Sequence, residues 1–273
     1  MTATPENIWQ VPAYLPYVQP PLTDAAVSRA EEKIGSKLPT DYLNLLKKQN
    51  GGYIRFSLPD RVHDMIAGIG PHFPSLTDFD WEESQEYVSF PLKGLVPFDG
   101  DGHWHLCLDY RKHKTSPTVT YGDVECDRES AIAASFADYL ANLEIDVGED
   151  YVVEAAGAQI EQVIAGLSAA LCIAFEPPEA FAPGYPTYRA RLGTESNPQW
   201  LWLSPNTVPR GFVRTNDRRY AELKNLMPGC AQRFPAVPEN ACIFSVTDGV
   251  RAHVVHTCAQ SRIVLRPLRE YAQ

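Results

Sequence analysis

No stretch of this chain is apolar for long enough to cross a bilayer. The most hydrophobic run, about Val163 to Phe175, is broken by Gly166 and Ser168, whereas a spanning helix needs about 20 mostly apolar residues. No membrane span is expected. The opening Met-Thr-Ala-Thr-Pro-Glu-Asn-Ile-Trp has neither a positive n-region nor an apolar h-region, so no secretory signal is expected and the reading is cytoplasmic. Paired cysteines are missing too: Cys107, Cys126, Cys172, Cys230, Cys242 and Cys258 are scattered without one C-x-x-C. That excludes a zinc ribbon or redox pair, and in a reducing compartment such cysteines read as small buried hydrophobes. The patterns G-x-x-x-x-G-K-[ST], G-x-G-x-x-G and G-x-S-x-G are absent as well. Nucleotide-binding and hydrolase templates therefore find no support, and no cofactor is called for.

Positive charge is also scarce, and unevenly so. The chain carries 24 Lys+Arg against 34 Asp+Glu, a net charge of −10. Residues 1–145 hold 21 acidic and 12 basic side chains, while residues 146–273 hold 13 and 12, the latter being eleven arginines and Lys224. An acidic first half repels phosphate backbones, which disfavours direct nucleic-acid binding. The same field attracts basic proteins and speeds their encounter. Simple solubility is the plainer account of the same charge.

What is present is the composition of a globular protein: 273 residues, 44% hydrophobic, 11% aromatic and 21% charged. The length and the change in basic residue type suggest two domains with a boundary near 145–152. The organisation expected is a Pro/aromatic arm over 1–21, a first domain over 22–145 and a second over 152–273. An α+β fold with antiparallel sheets fits both halves.

Thr23 can cap a first helix in which Val27, Ala30 and Ile34 form the apolar face and Glu31, Glu32 and Lys33 face water. Leu38-Pro-Thr-Asp-Tyr-Leu-Asn-Leu-Leu predicts a second helix with Tyr42, Leu45 and Leu46 inward, and Asn50-Gly51-Gly52 offers a left-handed C-cap. Tyr53 to Phe56 reads as a short strand, and 59–74 as a loop. Leu95–Phe98, the turn Asp99-Gly-Asp-Gly102 and His103–Tyr110 read as a hairpin. Its second strand places Trp104, Leu106, Leu108 and Tyr110 on one face and His103, His105, Cys107 and Asp109 on the other. Thr118–Tyr121 offers a strand and Ala131–Leu143 an amphipathic helix. Ala155–Phe175 predicts a long helix stopped by Pro177 and Pro178. Strands are expected at 188–192, 199–203, 241–246, 252–256 and 262–265, with a short helix near 218–227.

The combination of Trp9, Glu31-Glu-Lys-Ile-Gly35, Leu38-Pro39, Tyr42, Leu45-Leu46, Asn50-Gly51-Gly52 and the later Phe98-Asp-Gly-Asp-Gly102 with Leu106-Cys-Leu-Asp109 resembles the SUKH superfamily. That group includes yeast cell-wall-assembly and glucan-synthesis regulators and bacterial immunity proteins. The resemblance covers about Leu22 to Leu143, and it implies helices packed on one side of a mainly antiparallel sheet. It also implies a non-enzymatic role in which a toxin or effector is bound and neutralised. Residues 152–273 resemble nothing nameable.

The partner-binding candidates are the acidic segment Asp78, Phe79, Asp80, Trp81, Glu82, Glu83 and Glu86, joined by Asp99 and Asp101 of the hairpin turn. Carboxylates steer a basic protein partner, and aromatics supply desolvated anchors. The competing account is a solvated loop with its aromatics tucked into the core. A second acidic group, Asp123, Glu125, Asp127 and Glu129, reads as a strand edge and helix N-terminus. His103, His105, Cys107 and Asp109, with Asp101, include metal-ligand types, yet an alternating half-solvated strand shows the same pattern. His253, His256 and Cys258 read as ordinary strand residues. Asp99-x-Asp101-Gly102 lacks the glycine and glutamate positions of an EF-hand loop. Two other roles stay open beside immunity: a regulatory scaffold similar to the yeast proteins, and an enzyme using the His103/His105 strand or the arginines of the second half.

Overall fold

The computed structural model describes residues 3–59, 63–82, 84–145, 147–154, 159–178 and 183–271, which fall into two compact units, 1–146 and 147–273. Both are α+β with antiparallel sheets.

In the first unit, α1 (Asp24–Ile34) starts where the Thr23 hydroxyl accepts from Ala26 N at 3.2 Å and ends at Gly35, φ 75°. Ala30 is buried. Glu31 does not face water as expected. Its side chain is 11% exposed and turns back to accept from Lys37 Nζ at 2.6 Å and Leu38 N at 3.1 Å. Leu38 lies in the short link to the next helix, where its N–H has no helical carbonyl to bond; the carboxylate fills that role.

Helix α2 (Thr40–Lys48) follows Pro39 and buries Tyr42, Leu45 and Leu46. Its end corrects the sequence expectation. The helix stops at an extended Gln49, φ −146°, so Asn50-Gly51-Gly52 is not its left-handed cap. The run serves a chain crossing instead: Gly51, φ 87°, lies so close to the neighbouring loop that an added Cβ would sit 2.4 Å from Gly68 N. Gly52–Tyr53 then pairs with Met65–Ile66. The N-terminal arm lays Ile8 and Trp9 into the core, with Trp9 bridged to Ile54.

Four strands form an antiparallel meander: β1 (Leu95–Gly100), β2 (Trp104–Asp109), β3 (Thr118–Asp123) and β4 (Arg128–Ala133). The helix expected from Ala131 is therefore a strand as far as Ala133. Residues 124–127 turn the chain so that Asp123 pairs Arg128, and Asp127 adopts φ 49°. Helix α3 (Phe136–Asn142) begins only after Ser135, whose hydroxyl accepts from Asp138 N at 3.0 Å. The second acidic group thus belongs to a hairpin turn and an edge strand, not to a helix N-terminus.

Strand β2 departs from its predicted half-solvated face. Leu106 and Leu108 enter the main core with Tyr42, Phe98, Phe136 and Tyr139. On the opposite side, Cys107 packs with Phe90, Leu92 and Leu95, and Asp109 is only 6% exposed. Residues 88–92 cover that side of the hairpin and exclude water from it.

In the second unit, β5 (Tyr151–Val153), β6 (Tyr188–Thr194), β7 (Asn197–Pro205), β8 (Cys242–Val246) and β9 (Leu265–Pro267) form one sheet in the order β6-β7-β8-β5-β9. Two helices, α4 (Ile160–Leu171) and α5 (Asp248–Gln260), meet Leu201, Leu203 and Phe244 of that sheet through Val163, Leu167, Val254 and Cys258. Helix α4 ends at Cys172 in the left-handed conformation, φ 53°, ahead of the prolines expected to stop it; residues 155–158 of the expected helix lie outside the described residues. The strand expected at 252–256 is part of α5, because Val250, Val254 and Cys258 recur every four residues and pack inward. His253 and His256 both lie on its exposed side. The short helix near 218–227 is Tyr220–Leu223.

Candidate functional site

The first unit holds a cleft of about 340 Å³ where the β1–β2 hairpin turn faces the loop 73–79. Three local features build it. A register shift between Pro97 and Asp99 kinks β1, which re-aims the turn. Gly100 must be glycine, for a Cβ there would lie 2.4 Å from Trp104 O and 2.6 Å from His105 Nδ1. Asp101 then closes the turn, its Oδ1 accepting from His103 N at 2.9 Å and Trp104 N at 3.1 Å.

The opposite wall is a loop bounded by Pro71 and Pro74 that leaves Phe73 65% exposed. A buried Gln19 from the N-terminal arm holds it: Gln19 Nε2 donates to the carbonyls of His72 and Pro74, and Oε1 accepts from His72 N at 3.1 Å. Phe73 also meets the edge of Tyr17 at 5.9 Å. Met65, Ala67 and Phe98 are the buried base of the cleft, and Asp78, Phe79 and His105 complete its sides.

Of the sequence-predicted residues, Asp78, Phe79, Asp99 and Asp101 meet at this cleft. Asp80, Glu82 and Glu86 stand exposed beyond it, Asp80 Oδ1 accepting from Glu82 N at 2.9 Å. Phe79 packs on the core. Trp81 is half-buried: its Nε1 donates to Leu95 O at 2.9 Å, and its ring meets His105 edge-on at 5.0 Å. The aromatics thus brace the acidic segment from beneath and the carboxylates point outward. Glu83 lies outside the described residues.

Asp99 differs from its acidic neighbours. It is 6% exposed; its Oδ1 accepts from Gly100 N at 2.8 Å and its Oδ2 is 2.5 Å from His63 Nδ1. His63 Nε2 in turn meets the Tyr139 hydroxyl. With a proton on Nδ1 the His63 ring donates to Asp99 while Nε2 partners the Tyr139 hydroxyl, so the three buried groups satisfy one another. Sequence reasoning missed this chain because its members lie 36 and 76 residues apart. It also missed Phe73 and the exposed Tyr87; an aromatic between two prolines was the available signal for Phe73.

Electrostatically the cleft is negative. Burial is the main influence on His105: it pushes the imidazole below the usual value, against the opposing pull of Asp101 and Asp99, and so favours the neutral form. Desolvation raises the Asp101 carboxyl, but the Trp104 and His103 amides outweigh it and hold the group below the usual range. Among the described residues no lysine or arginine lines the cleft.

The predicted metal-ligand types do not converge. His103 is exposed beside Glu125 at 3.5 Å, and Cys107 is buried with its thiol pushed up by desolvation. Asp109 is held by Arg111 and Thr120. Among the described residues no group of three or more His, Cys, Asp or Glu is arranged to hold a metal ion, and no helix is long and apolar enough to cross a membrane.

Residues 21–142 match the family model described as SMI1 / KNR4 family (SUKH-1). No curated protein matches the chain.

Proposed function

Residues 21–142 make the first unit a member of the SUKH superfamily, and on that premise we propose that the chain acts by binding, as an immunity-type protein that captures and neutralises a basic toxin or effector. The superfamily supports the broader half of this reading, a protein-interaction module with an immunity-like or glucan-synthesis-regulator-like role. The observation that carries the narrower half is the outward array of Asp78, Asp80, Glu82 and Glu86 over the braced aromatics Phe79 and Trp81, beside a negative cleft.

In this reading no bond of the partner is broken. Long-range attraction brings the partner in, and burial of its active surface stops it. A stable interface of about 1,600 Å² takes 20–30 residues from each side, and the acidic segment supplies only its steering rim. The apolar contacts beside the rim supply the affinity.

The test is co-expression with candidate toxins encoded next to this chain. Rescue of growth by the intact chain is expected; unprotected growth with every candidate removes the immunity reading. In a reconstituted pair, Asp80→Lys, Glu82→Lys and Glu83→Lys together slow association and flatten its salt dependence while leaving the fold intact. An unchanged association rate places the docking surface elsewhere.

A further inference from the structure

We infer that the cleft between the hairpin turn and Phe73 is a socket for one arginine side chain of the protein partner. This inference rests on the binding role proposed above and deepens it.

The cavity itself is the first reason. At about 340 Å³ it lies at the lower end of the range for small-molecule pockets, a volume suited to a single long side chain. Its walls are mixed in a way that fits one chemistry. Phe73 and Phe79 supply aromatic surface over the buried Phe98, while Asp78 and Asp101 supply carboxylates at the mouth. A leucine or phenylalanine entering there would desolvate those carboxylates with nothing in return. An arginine satisfies both halves: its methylene stem and planar guanidinium lie against aromatic rings, and its N–H groups reach the carboxylates. Lysine brings a compact, strongly hydrated charge that stacks less well.

The socket is also held open before anything enters. Phe73 would be a mobile side chain on an ordinary loop, but Gln19 fastens the flanking backbone of His72 and Pro74, and Tyr17 meets the ring. On the other side, Asp101 is fixed by two backbone amides that bond its Oδ1. Asp99 stands behind, its charge engaged by His63 and Gly100. A preformed site loses little side-chain entropy on binding.

The experiment is an amide-resolved NMR titration of the full chain with N-acetyl-arginine methylamide, N-acetyl-citrulline methylamide and N-acetyl-leucine methylamide. The arginine probe is expected to shift the Gly100, Gly102 and His105 amides saturably, and to bind about tenfold tighter than its neutral citrulline isostere. The double variant Asp78→Asn and Asp101→Asn should abolish that preference; asparagine keeps the acceptor oxygen that closes the turn, so the fold is retained. Phe73→Ala, at an exposed position, should weaken the arginine probe by a similar factor. Equal binding of citrulline, tighter binding of leucine, or shifts spread over other acidic surfaces would each overturn the socket. Because the titration needs no partner, such a result removes the socket alone, whereas failed co-expression removes the immunity reading alone.

Discussion

The Asn50 carboxamide pairs with the backbone of Ile69 in both directions, Nδ2 donating to Ile69 O at 2.9 Å and Oδ1 accepting from Ile69 N at 2.8 Å. A side chain here takes the place of a neighbouring strand. The same Nδ2 donates to Pro20 O at 2.6 Å, so one buried residue joins the end of α2, the arm and the loop that carries Phe73.

Asn50→Ala should therefore cost about 2–4 kcal/mol, since it leaves buried backbone groups without partners. Gly51→Ala should cost more, because its φ of 87° and the 2.4 Å approach to Gly68 N both forbid a side chain. Urea denaturation followed by tryptophan fluorescence measures both. A loss under about 0.5 kcal/mol for Asn50→Ala would show the pairing to be dispensable.

Asp109 is gripped by Arg111, which donates from Nε at 2.9 Å and from an Nη at 2.7 Å, while the Thr120 hydroxyl donates at 2.9 Å. Burial raises this carboxyl, but the Arg111 fork, the Arg111 backbone amide and Thr120 outweigh it and hold it below the usual 3.8. The stability it contributes is complete above that value and is lost as pH falls through the lower folded value. Asp109→Asn should be less stable than the parent by about 1–3 kcal/mol at pH 7. The gap should narrow below about pH 4. Parallel denaturation curves at pH 7 and pH 3 decide it; a gap of constant size would contradict the assignment.

His105 shifts stability in the same direction at higher pH, although here burial favours the neutral form. Its folded value lies below 6.5 because of burial, with Asp101 and Asp99 resisting. Above 6.5 both folded and unfolded forms are neutral. As pH falls the unfolded chain takes up the proton first, so stability declines. The imidazole resonance should titrate with a midpoint below 6.5, and His105→Gln should remove part of the decline between about pH 6.5 and 5. A midpoint above 6.5 would mean that the carboxylates dominate.

Cys172 ends α4 at φ 53° and is exposed. A left-handed residue with a Cβ is strained, and glycine relieves the strain at some entropic cost in the unfolded chain. Cys172→Gly should stabilise the second unit by about 0.5–1 kcal/mol. A destabilised variant in thermal unfolding would refute this account of the cap.

The sequence alone determined the local punctuation and the family resemblance of residues 21–142. Thr23, Pro39 and the apolar spacing of Tyr42, Leu45 and Leu46 mark their helices because capping and amphipathic burial act over one or two turns. The hairpin at Asp99–Gly102 was legible for the same reason. Tertiary structure decided the rest, wherever distant segments compete for one residue. Ala131 joined a strand because β3 offered a partner, Val254 a helix because a sheet needed covering, and Cys107 was buried because residues 88–92 lay over it. The cleft belongs to this second kind. Gln19, Phe73, Asp78 and Asp101 lie up to 82 positions apart, and only the fold sets aromatic rings and carboxylates around one space.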